Sequence, residues 1–155
     1  MASHLPAPVY RHILVPLDHS ARDVAAIAHA AAMGRPHGAT IHLLHVEEGA
    51  TSQLFGELSA TAEIHAGEEY FDAILQSLDH EGLTAELTVA HGRSPKDEIV
   101  RAAREIHADL VVMGAHGHRG VKDLIFGDTI NGVRHEVSVP VLVVADPPSA
   151  GRRTP

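Results

Sequence analysis

The chain has 155 residues and a mass of 16.5 kDa, with 45% apolar and 21% charged residues. This composition is typical of one globular domain and excludes disordered, collagen-like and low-complexity chains. The absence of cysteine excludes disulfides, thiolate catalysis and iron–sulfur clusters. The formal net charge of −8 disfavours nucleic acid and anionic membranes as partners, because binding to phosphates requires a basic face.

No segment of the sequence resembles a targeting signal or a membrane span. Residues 1–10 lack a basic region followed by an apolar core. The longest apolar run, Val139–Ala145, is too short to cross a bilayer. We therefore expect a cytoplasmic protein with an N-terminal extension over 1–10, a single domain over 11–146 and a flexible tail over 147–155.

The first predicted elements are a strand over His12–Leu17 and an Ala-rich helix after it. Ser20 and Asp23 have the spacing of a capping box at the start of this helix, and Gly38 suits its end. The apolar residues of the helix recur at three- and four-residue spacing, which predicts a buried stripe of Val24, Ile27, Ala28 and Ala31.

The next elements are a strand over Thr40–Val46, a long loop over residues 47–58 and a helix over about Ser59–His80. The segment Leu83–Val89 alternates apolar and polar residues, which predicts a half-exposed strand near a sheet edge.

The C-terminal part begins with Ser94 and Pro95, which suit the N-cap and first position of a third helix. Leu110–Met113 predicts a strand buried on both faces. A Gly-rich stretch over 114–127 follows, then a short helix over about Asp128–Val137 and a strand over Val139–Val144. The order βαβαβαβαβ predicts an open, doubly wound α/β fold with a five-stranded parallel sheet and helices on both faces.

In such sheets a ligand binds outside the carboxyl ends of the strands, so Asp18, Val46 and the loop after Met113 should line one crevice. Gly114 and Gly117 lie between a buried strand and a predicted helix, where free backbone N–H groups favour an anion such as phosphate. The spacing fits neither a Walker A motif nor a dinucleotide fingerprint. If this loop is considered alone, two interpretations are equally supported: the glycines bind a phosphate, or they serve only turns and helix packing.

Several separate segments resemble the universal stress protein family over most of the chain, from Ile13 to Val144. They are His12-Ile-Leu-Val-Pro-Leu-Asp18, Leu43-Leu-His-Val46, Gly92-Arg-Ser-Pro95, Ala108-Asp-Leu-Val-Val-Met-Gly-Ala-His-Gly117 and Pro140-Val-Leu-Val-Val144. The resemblance implies a Rossmann-like fold of the adenine-nucleotide alpha hydrolase type, a role in stress response, and a dimer built through the final strand.

The nucleotide-binding branch of that family carries the pattern G-x2-G-x9-G-[ST], which Gly114, Gly117 and Gly127 match here. The resemblance implies binding of ATP or a related adenine nucleotide. Asp18 would contact the ribose and adenine end, Val46 would hold adenine through its backbone, and the glycine loop would take the phosphates. The expected nucleotide contacts are Pro16, Leu17, Asp18, Val46, Met113, Gly114, His116, Gly117, His118, Arg119, Gly127, Asp128 and Thr129.

Asp128 departs from the family pattern, which has Ser or Thr at this position. As the N-cap of the predicted helix, its carboxylate would occupy the anion site and repel phosphate. Three features would favour the nucleotide. Mg²⁺ could bridge this carboxylate to the phosphates, Thr129 offers a hydroxyl, and Arg119 or Lys122 adds positive charge. The alternative function is a nucleotide-free dimeric interaction module whose phosphate site Asp128 closes.

The 14 histidines raise the question of a metal site, especially His116 and His118 beside the glycine loop, with His91 and His135 as candidates nearby. A zinc site needs three or four converging ligands, whereas His42 and His45 point to opposite faces of their strand. We predict solvated histidines and no metal site, and leave a metal- or pH-responsive protein as a weaker alternative. No carboxylate pair or base has a spacing that specifies ATP hydrolysis, so we expect a binding protein rather than a catalyst.

The final strand, Val139–Val144, also predicts a partner. An apolar strand at a sheet edge invites pairing with the same strand of a second copy. This interpretation agrees with the dimer that the family resemblance implies. The alternative is a core strand covered by the C-terminal tail.

Overall fold

The computed structural model describes residues 5–47, 57–115 and 123–145, with the backbone alone for 57–65 and 123–127. The strands in these ranges are β1 His12–Leu17, β2 Thr40–Glu47, β3 Thr84–His91, β4 Leu110–Gly114 and β5 Val141–Val144. The α-helices are α1 Arg22–Gly34, α2 Glu57–His80, α3 Pro95–Glu105 and α4 Asp123–Glu136, and a 3-10 turn over Arg35–His37 follows α1. The predicted loop over 47–58 and the tail over 147–155 lie almost wholly outside the described residues.

The sheet has the strand order β3-β2-β1-β4-β5, and every pair of neighbours is parallel. The chain winds outward from β1 to β3, then crosses back to β4 on the other side of β1. This arrangement confirms the doubly wound α/β fold and the edge position of β3. The crossing between β1 and β4 is the switch point at which ligands bind in such folds.

The core consists of two layers on the two faces of the sheet. One face packs against α1 and α2 through residues that include Ile13, Val15, Ile41, Leu43 and Phe71. The other packs against α3 and α4 through Leu14, Leu44, Ile99, Val111 and Val133. In β4, Leu110 and Val112 face the first layer, while Val111 and Met113 face the second, so the strand is buried on both faces as predicted.

The ends of α1 and α3 show which local sequence signals correctly predict where a helix starts or stops. At α3, Ser94 accepts a hydrogen bond from the Asp97 N–H at 3.3 Å, and Pro95 takes the first helical position, as predicted. The capping box predicted for α1 is wrong, because the Asp23 carboxylate bonds to other backbone groups. The left-handed conformation of Gly38 is confirmed, although the 3-10 turn separates it from α1.

The buried stripe predicted for α1 is half wrong. Ile27 and Ala31 are buried as expected, whereas Val24 and Ala28 are exposed. The buried face instead contains Asp23, Ala26, Ile27, Ala30, Ala31 and Gly34. Because this face consists mostly of small residues, the helix packs closely on the sheet, and the larger Val24 is left facing solvent.

The start of α4 requires a second correction. The helix begins at Asp123, five residues before the predicted start, and Asp128 is an exposed residue inside it. Asp128 is therefore not the N-cap. Gly127 lies in the second turn, where a backbone N–H bonds within the helix, and the free N–H groups belong to the first turn.

Two histidines on the α3/α4 face form a polar contact across the strands. His12 Nδ1 and His42 Nε2 are 3.1 Å apart, and His42 Nδ1 lies 3.5 Å from a Glu86 carboxylate oxygen. Burial lowers the pKa of His42, with the neighbouring His12 acting in the same direction and Glu86 in the opposite one. One ring must keep a lone pair to accept the hydrogen bond between them, so the pair requires a neutral imidazole.

We predict that acidification through pH 6.5 destabilises the fold through His42. Its folded pKa lies below the unfolded value, so the stabilisation is present above pH 6.5 and falls as the pH drops toward the folded pKa. The measurement is the denaturation midpoint between pH 8 and pH 5. His42→Gln should flatten this dependence relative to the parent by up to about 1.4 kcal/mol per pH unit, the limit for one proton. Equal slopes for His42→Gln and the parent would contradict the prediction.

Among the described residues, no helix is long and apolar enough to cross a membrane.

Candidate functional site

The ends of β1, β2 and β4 lie level with one another at the carboxyl edge of the sheet. Leu17 pairs with His45, so Asp18 and Val46 are the next residues along the two strands. Leu14 pairs with Val111, and continuing this register by three residues places Gly114 level with Leu17. The backbone therefore brings the three predicted places together at the switch point.

Gly114 lies directly against the first turn of α1. A Cβ atom built on Gly114 would be 3.4 Å from Arg22 Cβ and 3.7 Å from the Arg22 carbonyl oxygen. The loop after β4 thus begins beside the β1–α1 turn, and the backbone and Cβ of the half-buried Arg22 lie next to Gly114. The sequence interpretation missed Arg22, because only the fold places it next to the glycine loop.

The β1–α1 turn, residues 18–21, is held by a carboxylate from the first turn of α1. Asp23 is 4% exposed, and its Oδ1 accepts the Asp18 N–H at 3.1 Å. Its Oδ2 accepts the His19 N–H at 3.0 Å and the Tyr70 hydroxyl at 2.7 Å. Asp18 Oδ1 accepts the Ser20 N–H at 2.9 Å, and the Asp18 side chain is exposed at the edge of the sheet.

Asp23 and Tyr70 join the turn to α2, and burial is the main influence on the pKa of each. It raises the pKa of the Asp23 carboxyl, although the hydrogen bonds from Tyr70 and the Asp18 backbone oppose the rise. The pKa of Tyr70 is also raised, first by burial and then by its hydrogen bond to Asp23. Tyr70 is thus firmly protonated and remains a hydrogen-bond donor to Asp23.

The His19 ring packs in a cluster of aromatic rings beneath the turn. Its centroid lies 4.6 Å from that of His45, 4.6 Å from Phe71 and 4.8 Å from Tyr70. Burial, followed by the neighbouring His45, lowers the pKa of His19. Within the described part of the chain, His45 Nδ1 is a buried side-chain nitrogen without a hydrogen-bond partner.

The predicted site residues fall into three groups. Pro16, Leu17, Asp18, Val46, Met113 and Gly114 all lie at the carboxyl ends of β1, β2 and β4. His116, Gly117, His118 and Arg119, with Lys122, lie outside the described residues. Gly127, Asp128 and Thr129 lie within α4, where Thr129 is buried and Asp128 is exposed.

Sequence reasoning missed most of the groups that shape the turn. Asp23 is predicted as a capping residue, and neither Tyr70 nor Phe71 is predicted as part of the site. His19 has a φ of +62°, a left-handed conformation that is uncommon for any residue except glycine. The available signal was a carboxylate on the otherwise small and apolar buried face of α1, since a buried charge requires partners.

A cleft of about 390 Å³ lies at the opposite, amino edge of the sheet. It is lined by Ala103, Arg104, His107, Ala108, Glu136, Val137, Ser138 and Val139. None of the predicted site residues borders it. The carboxyl edge remains the better candidate, because the switch point and the start of the glycine loop coincide there.

Among the described residues, no group of three or more His, Asp or Glu side chains converges to hold a metal ion. His42 packs near His12 on the α3/α4 side, whereas His45 contacts Phe71 on the α2 side. This confirms that the two histidines point to opposite faces of β2.

The model of the Universal stress protein family matches residues 9–145. The chain belongs to this family. Among curated relatives it is 26% identical to Universal stress protein A homolog 1 of Coxiella burnetii, over 87% of this chain and 96% of that protein. It is also 26% identical to Universal stress protein MJ0577 of Methanocaldococcus jannaschii, over 88% of this chain and 95% of that protein.

Solved structures of universal stress proteins share the fold. The structure of MJ0577 superposes with a TM-score of 0.76 at 26% identity, covering 92% of this chain and all of that one. An Archaeoglobus fulgidus universal stress protein in complex with dAMP superposes with a TM-score of 0.64 at 22% identity, over 88% of this chain and 99% of that one. A universal stress protein in complex with cAMP superposes with a TM-score of 0.61 at 22% identity, over 88% of this chain and 98% of that one.

Proposed function

We propose that the protein binds ATP or a related adenine nucleotide at the carboxyl edge of its sheet and acts as a stress-response regulator, not as a catalyst. The observation that carries the proposal is the convergence of the Asp18 turn, Val46 and Gly114 at the switch point, with Gly114 against the first turn of α1. An exposed acid, the backbone at a strand end and a glycine loop together suit a ribose, a base and phosphates.

In this proposal Asp18 and Val46 hold the nucleoside. The exposed Asp18 carboxylate accepts hydrogen bonds from ribose hydroxyls, and the backbone of Val46 meets the base edge. Gly114 and Gly117 let the backbone approach the phosphates closely, and Arg119 and Arg22 supply positive charge.

Two fold neighbours support the adenine class, because their structures contain dAMP and cAMP. These ligands share adenine with ATP and carry one phosphate. Adenine nucleotide is therefore the class we propose, and ATP with Mg²⁺ is the member that the glycine pattern favours.

The position of Asp128 removes the main reason for a nucleotide-free protein. That alternative needed its carboxylate at a helix N-terminus, where it would take the phosphate position. In α4 it is instead an exposed residue of the second turn. An exposed carboxylate there repels a phosphate through solvent, and salt screens this repulsion.

The test is calorimetric titration of nucleotide-free protein with Mg-ATP, AMP and cyclic AMP, with GTP as the control for base specificity. We expect micromolar binding of at least one adenine nucleotide and at least tenfold weaker binding of GTP. Gly114→Val should lose most of the affinity, because its side chain fills the gap beside Arg22.

The companion variant Asp128→Ser should change affinity by less than tenfold, because Asp128 does not cap the helix. Clear binding only after this substitution would restore the closed-site alternative. No binding of any adenine nucleotide by the parent or by Asp128→Ser would overturn the proposed function.

We also propose that the protein is a homodimer joined through its final strand. β5 pairs with β4 on one side and forms one edge of the described sheet. Val143, in the predicted segment Val139–Val144, is a large apolar residue left exposed on this edge. The cytoplasmic location remains a prediction from the sequence.

A further inference from the structure

Asp23 occupies a position where a carboxylate is costly. It lies on the buried face of α1 between the sheet and α2, and charged groups are rarely placed there without partners. A helix cap does not explain it, because its oxygens do not bond to the first N–H groups of α1. They bond to two successive backbone N–H groups of the β1–α1 turn, those of Asp18 and His19.

The turn that Asp23 holds has a strained backbone. The left-handed conformation of His19 is unfavourable for a residue with a side chain. Such a conformation persists only where its surroundings fix it. Here the fixing contacts are the hydrogen bond from the His19 N–H to Asp23 and the packing of the His19 ring on Phe71 and His45.

Helix α2 provides the third bond to Asp23. The Tyr70 hydroxyl donates to Asp23 Oδ2 at 2.7 Å, the same oxygen that accepts the His19 N–H. Gly67, one turn earlier on α2, lies next to the His19 ring, since a Cβ built there would make an ordinary contact of 3.5 Å with His19 Cε1. The turn is therefore held between α1 and α2.

We propose that Asp23 and Tyr70 are positioning residues for the nucleoside contact of Asp18. The proposal rests on the proposed function, because Asp18 must contact the nucleotide for its position to matter. Asp23 fixes the Asp18 N–H directly, and Tyr70 orients the Asp23 carboxylate from α2.

The test is Tyr70→Phe, which removes one hydroxyl and keeps the ring that packs on His19. We expect Mg-ATP affinity to fall about tenfold. We also expect the amide NMR signals of Asp18 and His19 to shift or broaden in the ligand-free protein. A structural role alone would lower stability without moving these two amides selectively.

The chain offers a matched control, because its other tyrosine, Tyr10, packs edge-on against His37 away from the turn. Tyr10→Phe should match the parent in affinity and in the two amide signals. A second control, Val100→Ala in the α3/α4 core, should lower stability and leave affinity unchanged. Asp23→Asn keeps the shape of the side chain but replaces one acceptor oxygen with a donor, so it should weaken binding more than Tyr70→Phe does. If Tyr70→Phe does not fold, Asp23→Asn tests the positioning role instead.

The outcomes separate this proposal from the function on which it rests. If the parent binds nucleotide and Tyr70→Phe binds equally well, the positioning role is overturned while the proposed function stands. Weaker binding with unmoved Asp18 and His19 amides also overturns it, because the loss then arises elsewhere. If the parent binds no adenine nucleotide, the proposed function fails and the positioning role fails with it.

Discussion

Gly34→Ala is expected to lower the free energy of unfolding by about 2 kcal/mol, and Gly34→Val by more, because the site has no room for a side chain. A Cβ at Gly34 would be 2.9 Å from Ala39 Cβ, 3.1 Å from Ile13 Cδ1 and 3.3 Å from Ile41 Cδ1. Gly34 ends α1, and its carbonyl accepts the Ala39 N–H at 3.1 Å, so neither backbone can retreat without losing this bond. Chemical denaturation of the purified variants measures the loss.

A compensating substitution tests the cause. Ala39→Gly removes the atom nearest to the new side chain, so Gly34→Ala combined with Ala39→Gly should lose less stability than the two single losses predict together. Gly38→Ala is the matched control. A Cβ there meets nothing within 4 Å, but φ is +61°, so a loss of about 1 kcal/mol should arise from the backbone and should not be relieved by Ala39→Gly. Strict additivity at Gly34 and Ala39 would contradict the steric explanation.

The alternation of strands and helices could be predicted because each element carries its own local pattern. β4 is a short run of Leu, Val and Met, and burial on both faces requires that composition. At α3, Ser94 and Pro95 define the helix start through chemistry within four residues. The position of β3 at a sheet edge followed from its alternating exposure.

The errors occur where a distant segment decides the structure. Asp23 has the spacing of a capping residue, yet a hydroxyl 47 residues away and two turn amides take its carboxylate. Val24 has the right spacing for the core, but the small residues of α1 face the sheet instead. Neither outcome is encoded in a local window, because both depend on how closely α1 and α2 approach β1.

The candidate site divides in the same way. Asp18, Val46 and Gly114 could be predicted from strand ends alone, since parallel strands place their carboxyl ends at one edge. The supporting shell of Asp23, Tyr70, Phe71 and His45 required the fold, because these residues come from three elements. Asp128 was misassigned because glycine and aspartate at 127 and 128 suggest a helix start, whereas α4 continues through both.

Val143→Lys is expected to convert the proposed dimer into a monomer, with the dissociation constant raised about a hundredfold or more. β5 is an edge strand, and the Val143 side chain is 42% exposed at its carboxyl end. A lysine on an edge strand blocks pairing between sheets, because its charge must lose water when a second strand approaches. Sedimentation velocity over a range of protein concentrations measures the change.

The opposite edge of the same sheet provides the control. Val89 on β3 is 41% exposed, so Val89→Lys places the same charge on a valine of nearly equal exposure. The parent and Val89→Lys should sediment as dimers, and Val143→Lys as a monomer with unchanged circular dichroism. A monomeric parent would refute the dimer, and a monomer produced by Val89→Lys alone would move the interface to β3. Because β5 pairs with β4, whose last residue begins the glycine loop, the proposed dimer interface lies one strand from the proposed phosphate site.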